Sequence, residues 1–262
     1  MLIKDVCEYL NNKYPIESAE DFDQPRIGLT IGSGNIELSG ILFTLDLNID
    51  VVNEAIEKKC NLIVSHHPYI FEPLFKVLFE SEKGKVLRKM FEYNISLYSM
   101  HTNLDVGEAG VNDVLADLIG IKESNVINGE SSKGNFLRFG EIEEVTLKEF
   151  ATKVKENLKL TGVRVLGDLN KKIKSAGVVG GSGGKTPDMI NALKCNCDCY
   201  VTGEIHLNNS QFADYNGLCL VEVNHGVEKF VFYPLKETVE KDLCLKGKVF
   251  VSELETDKMI TL

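Results

Sequence analysis

The sequence predicts an α/β protein in which short buried strands alternate with amphipathic helices. Three observations predict it. Apolar runs of strand length, "ILFTL", "NLIVS" and "ISLYS", recur in the first part of the chain. They lack the polar alternation of a half-exposed strand, so burial on both faces beneath helices is expected. Between them lie segments such as "IDVVNEAIEKKC", whose apolar residues repeat at helical spacing. A polar stretch, "KESNVINGESSKGN" with Ser131, Ser132 and Gly134, then interrupts the pattern before strands and helices resume. It reads as a boundary between two α/β parts.

In chain order, residues 2–13 read as an amphipathic helix, and Lys4, Asp5 and Glu8 break the apolar core that a signal peptide would need. A strand follows from Ile41 to Leu45, then a helix with Asp50 as N-cap, then the strand "NLIVS". "GKVLRKMFEYN" is a helix, "ISLYSMHTNLD" a strand running into polar residues, and "GVNDVLADLIGI" a helix ending near Gly120. Beyond the polar stretch come a strand (Phe136 to Ile142), a helix capped by Thr146, and the strand "GVRVLGD". "IKSAGVVGGSGGKTPDMINALK" reads as strand, glycine loop and helix, and "CDCYVTGEI" and "LCLVEVNHGVEKF" carry two further strands.

The 262 residues suffice for one large or two ordinary domains. A net charge of -10 and a pI near 5.1 argue against a nucleic-acid or anionic-membrane binder, because neutralising phosphates takes clustered Lys and Arg. No apolar run approaches the ~18 residues of a membrane span, and a cytoplasmic location is expected. Seven cysteines at irregular spacing are expected as reduced thiols. Cys195, Cys197 and Cys199 lack the paired spacing of a zinc site, so they read as three small buried residues on one strand face.

The chemistry concentrates at strand ends. "LIVSHHP" delivers His66 and His67, "LYSMHTNLD" delivers His101 and Asp105, and "CLVEVNHGVEKF" delivers His225 and Glu228. Ligand sites in open α/β sheets lie beyond the carboxyl ends of strands. Imidazoles and carboxylates gathered there suit Zn, Mn or Fe. His101 reads as a group that orients Asp105. His225 and Glu228 are three residues apart and share a face if a helix starts there. Glu204 and His206, in "YVTGEIHLNNS", follow another strand and are the candidates for proton transfer. The run "VVGGSGGKT" fits neither G-x(4)-G-K-[ST] nor G-x-G-x-x-G, which leaves a tight strand-to-helix turn as the favoured reading.

"LIVSHHPYIFEPL", "HTNLDVGEAGVNDVLADLIGI", "AGVVGGSGG", "YVTGEI" and "NHGVEKF", in this order, resemble the NIF3-like family, also labelled GTP cyclohydrolase 1 type 2 homologs. The resemblance implies an α/β/α layered fold with a second, related α/β domain inserted into the first. On this sequence that places a discontinuous metal-binding domain at 1–126 and 221–262 and an inserted domain at 127–220. It also implies a dinuclear centre of two divalent ions (Zn, Fe, Mn or Ni) held by His66, His67, Asp105, His225 and Glu228, and a homohexameric ring. The implied activity is that of a metal-dependent hydrolase on a small, nucleotide-like substrate; the alternative is a ring-forming scaffold with structural metals. Three departures stand out. The family places its last Glu four residues after the His, after a Gly, whereas here the spacing is three and Asn224 precedes His225. D-N-V-G-L becomes "DQPRIGL", with Asp23 retained. T-G-D-x-x-x-H becomes "TGEIHLNN", with Asn208 at the family's His position and His206 two residues earlier.

Overall fold

Runs of wholly buried apolar residues lie at the centre of two mixed sheets in the computed structural model, which describes residues 1–127 and 135–256. The chain divides into two compact units: Met1–Gly107 with Phe232–Thr256, and Glu108–Val231. The first unit opens with α1 (Ile3–Lys13), β1 (Gly28–Ile31), β2 (Ile41–Thr44), α2 (Ile49–Glu57) and β3 (Leu62–Ser65). It continues with α3 (Glu82–Glu92), β4 (Ser96–Ser99) and the short α4 (Thr102–Val106). The second unit holds α5 (Val111–Ile119), β5 (Lys122–Val126), β6 (Arg138–Thr146), α6 (Leu147–Asn157), β7 (Arg164–Leu166) and β8 (Lys172–Val179). It ends with α7 (Thr186–Lys194), β9 (Cys199–Thr202), α8 (Leu207–Tyr215), β10 (Cys219–Glu222) and a 3-10 turn over His225–Val231. The chain then returns to the first unit as α9 (Phe232–Asp242) and β11 (Val249–Val251).

In the first unit the sheet order is β1-β4-β3-β2-β11, parallel except for β1 at one edge. Successive strand residues face opposite sides. Leu42, Ile63 and Leu97 meet Val51, Val52 and Ala55 of α2 and Val86, Leu87 and Met90 of α3 on one side. On the other side Phe43 stacks on Phe232 of α9, with ring centroids 5.3 Å apart. The layers are therefore α/β/α, and every residue of β2, β3 and β4 is buried, as their unbroken apolarity implies. In the second unit the order is β5-β6-β8-β9-β10-β7, with β8, β9 and β10 parallel and the outer strands antiparallel.

Several local readings need correction. Asn48, not Asp50, caps α2: its side-chain oxygen accepts from the Val51 N–H at 3.0 Å. Asp50 instead lies in the first turn, where a carboxylate favours the helix dipole. The first residues of the polar stretch form β5, an edge strand whose side chains are mostly exposed, so polar composition there reflects an edge rather than a loop. Residues 128–134, including Ser131, Ser132 and Gly134, lie outside the described residues. The compact units divide at 107/108 and 231/232, and α5 packs on β5, β6, α6 and β8 of its own unit. The 3-10 turn with His225 and Glu228 groups with the second unit, in contact with α5. Cys195 ends α7 and Cys197 lies in the following turn, so only Cys199 sits in a strand. Burial pushes the Cys197 thiol up to about 12 and Cys199 further still, so both stay protonated. The Thr146 cap is present as a full capping box with Glu149, and Gly120 ends α5 in the left-handed conformation.

No helix of the described residues is long and apolar enough to cross a membrane.

Candidate metal centre

Strand register builds the centre in the first unit. Thr44, Ser65 and Ser99 are paired neighbours at the carboxyl ends of the parallel strands β2, β3 and β4. Two residues beyond each come Asp46, His67 and His101. The main chain stays paired past the strand ends, with the N–H groups of His66, His67 and Met100 donating to Thr44, Leu45 and Ser65 carbonyls at 3.1, 3.0 and 2.9 Å. His66, His67 and His101 thereby gather one nitrogen each into a group spanning no more than 4.8 Å.

Each imidazole is fixed from behind. His66 Nδ1 bonds the Met100 carbonyl at 2.9 Å, His67 Nδ1 bonds Asp46 at 2.6 Å, and His101 Nδ1 bonds Asp23 at 3.0 Å. Carbonyl and carboxylate oxygens only accept, so Nδ1 carries the proton in the neutral ring and Nε2 keeps its lone pair. That is the arrangement by which acceptors behind a histidine prepare it to bind a metal. The donor set thus fits a divalent cation of the zinc, iron, manganese or nickel kind.

The "HTNLD" motif resolves into separate tasks. The Thr102 N–H and hydroxyl donate to Asp23 at 3.0 and 2.7 Å. Asn103 accepts from the His101 N–H and donates to the Tyr14 carbonyl, both at 2.9 Å, which ties α4 to the end of α1. Leu104 is buried. Asp105 brings Oδ1 to 3.5 Å from His66 Nε2. Asp23 is wholly buried. Burial pushes its carboxyl up, but the bonds from His101 and Thr102 outweigh this and hold it below its ordinary value. Asp46 shows the same balance, with His67 and the Thr256 hydroxyl as its donors.

His225 and Glu228 meet within the second unit. They lie in a 3-10 turn, not an α-helix. Three residues per turn place i and i+3 in line, so the three-residue spacing brings the two side chains together. His225 Nε2 lies 3.2 Å from Glu228 Oε2, and Glu228 is buried. His225 Nδ1 bonds Glu204 at 3.0 Å, the same rear support seen in the first unit. Glu204 therefore orients His225. His206 is exposed at the head of α8.

Sequence reasoning missed Asp46 and assigned His101 a different task. Asp46 was detectable by aligning "TLD", "SHH" and "SMH" on their strand ends. The His101 ring joins those of His66 and His67, with centroids 5.3 and 5.6 Å away.

The fold and this geometry can be set beside known proteins. A Clostridium acetobutylicum protein named GTP cyclohydrolase 1 type 2 homolog is 35% identical over 229 residues, covering 86% of this chain and 83% of its own. A Staphylococcus epidermidis protein of the same name is 27% identical and covers 98% of this chain and 99% of its own. That alignment spans 366 positions against the 262 residues here, so the staphylococcal protein carries segments this chain lacks. The crystal structure of the Staphylococcus aureus protein SA1388 superposes with a TM-score of 0.92 at 30% identity, covering 100% of this chain and 99% of that one. A Bacillus cereus protein related to NIF3 has the same fold, with a TM-score of 0.91 at 24% identity over 100% of this chain and 99% of its own. The family model described as Duf34/NIF3 (NGG1p interacting factor 3) matches residues 1–258, and the chain belongs to that family.

Proposed function

We propose that the protein holds two divalent cations and acts as a metal-dependent hydrolase on a small electrophilic substrate. His66, His67, Asp105, His225 and Glu228 are the proposed ligands, with His101 as a further donor. The observation that carries this reading is the rear support of the imidazoles: three in the first unit are held at Nδ1 by a carbonyl or carboxylate, and each brings one ring nitrogen within 4.8 Å of the others. Two such cations, when bound, would supply Lewis acidity for hydrolysis.

The chain's own part is positional. Asp46, Asp23 and the Met100 carbonyl hold the rings in one tautomer, and Glu204 does so for His225. Glu204 is thereby committed to orientation, which leaves the exposed His206 as the group proposed to exchange protons with solvent. The relatives' name, GTP cyclohydrolase 1 type 2 homolog, supports a nucleotide-like substrate opened by water. The test is metal content of the purified protein, followed by a screen of nucleotide, cyclic-amide and phosphoester hydrolysis. Wild type is expected to bind about two metals per chain and to lose activity in the His66→Ala/His67→Ala double variant. Wild type that neither contains nor takes up metal overturns the reading.

A second reading, a ring-forming scaffold with structural metals, draws support from the segment after the paired histidines. Phe71, Phe75, Val77, Leu78 and Phe79 are exposed there, Phe75 at 96%. Such a patch fits burial against further copies of the chain, including a homohexamer. Light scattering on Phe75→Asp/Leu78→Asp tests it: a smaller assembly with unchanged metal content supports self-association through this segment, and an unchanged mass refutes it.

A further inference from the structure

The glycine run "VVGGSGGKT" matches no nucleotide fingerprint, and its surroundings in the second unit give its glycines another purpose. Gly181 has φ +55°, and a Cβ built on it would lie 2.5 Å from Glu228 Oε1 and 3.0 Å from His225 Nε2. A Cβ on Gly180 would lie 3.1 Å from the same carboxylate oxygen. Glu228 has little room to yield, because it is buried and its other oxygen is engaged with His225.

The glycine backbone is itself held on both sides. The Gly180 N–H donates to Asn112 Oδ1 at 2.8 Å, and the Gly181 carbonyl accepts from the Glu204 N–H at 3.1 Å. Gly203 closes the second side: a Cβ there would lie 2.2 Å from the Gly181 oxygen. The ends of β8 and β9 thus interlock backbone to backbone. The same interlock sets Glu204, whose side chain supports His225 from behind.

We propose that Gly181 is a positioning residue of the His225–Glu228 pair. Its bare backbone is a fixed wall against which the Glu228 carboxylate closes, and the wall sets the orientation in which Oε2 reaches His225 Nε2. The 3-10 turn brings the two residues into line, and the glycine wall decides where the carboxylate head points. The inference rests on the metal-binding reading above, but requires no particular reaction.

The experiment is zinc binding by equilibrium dialysis, with thermal midpoints measured alongside. Gly181→Ala is compared with Gly217→Ala. Gly217 has φ +70° with nothing within 4 Å of a built Cβ, so its variant carries the backbone cost without the contact. Gly181→Ala is expected to weaken at least one zinc site by about tenfold or more, the scale of lost support around a metal ligand. Gly217→Ala is expected to stay within about twofold of wild type. Adding Glu228→Asp to Gly181→Ala withdraws the carboxylate by one methylene and is expected to recover part of the loss. If Gly181→Ala does not fold, Gly180→Ala replaces it, with a smaller loss of about threefold expected. Zinc affinity equal to that of Gly217→Ala in the Gly181→Ala single variant, or in Gly180→Ala where that replaces it, overturns the inference alone. A wild type that takes up no zinc overturns the metal reading and this inference with it.

Discussion

Both units hold imidazoles at Nδ1 against an oxygen acceptor, but on different backbones. In the first, three adjacent parallel strands end in register, and each delivers a histidine or the acid behind one. Neighbouring main chains remain hydrogen-bonded past the strand ends. In the second, a single 3-10 turn carries both His225 and Glu228, with the partly exposed Glu204 behind the ring and glycine backbone against the carboxylate. The first arrangement draws its rigidity from a buried sheet. The second depends on close contacts among a few residues, so small changes there should tune binding where equivalent changes in the first destroy it.

The largest expected effect breaks the first arrangement. His66→Ala or His67→Ala should each reduce metal affinity by about a hundredfold or more, beyond the 10–100-fold typical of lost outer support; metal analysis after dialysis reads this directly. Asp23→Asn comes next. It replaces a wholly buried acceptor of three hydrogen bonds and should cost about 2–3 kcal/mol in urea unfolding of the metal-free protein. Glu204→Gln should sharpen the comparison. The acid is exposed, so stability should move by less than about 0.5 kcal/mol while zinc binding weakens by about tenfold. Equal stability losses for Asp23→Asn and Glu204→Gln would abolish the proposed contrast.

A smaller effect is expected from acid. Asp23 and Asp46 have folded-state pKa values below their ordinary one, since hydrogen bonds outweigh burial. Their contribution to stability is fully present above the unfolded value of about 4 and is lost as pH falls through the lower folded values. Unfolding of the metal-free protein followed from pH 6 downward should show this loss, and Asp23→Asn should flatten it. The smallest effect on the site is expected from Thr146→Ala. Loss of the α6 capping box should cost about 1 kcal/mol and leave zinc affinity unchanged.

Much of the first unit was legible in the sequence. Unbroken apolar runs imply strands buried on both faces, and a polar group placed just after such a run must lie at a sheet end. That logic placed His66 and His67 at the end of β3. It passed over Asp46, because only strand register shows that it stands level with His67 and His101. It did not show β5 as a strand, because an exposed edge strand carries the composition of a loop. Glu204 was legible as a carboxylate at a strand end, but its 3.0 Å bond to His225 was not, because the two residues lie 21 positions apart in the chain.

By itself, the sequence determined the donor types, the strands that carry them and the layered α/β class, because burial and periodicity are local properties of the chain. Tertiary structure alone decided that His66, His67, His101 and His225 are held at Nδ1, since the acceptor in each case comes from a distant segment. It also decided that His225 and Glu228 meet at a three-residue spacing. The turn there is 3-10 rather than α, and a glycine backbone from another strand end leaves room for the carboxylate to meet the ring.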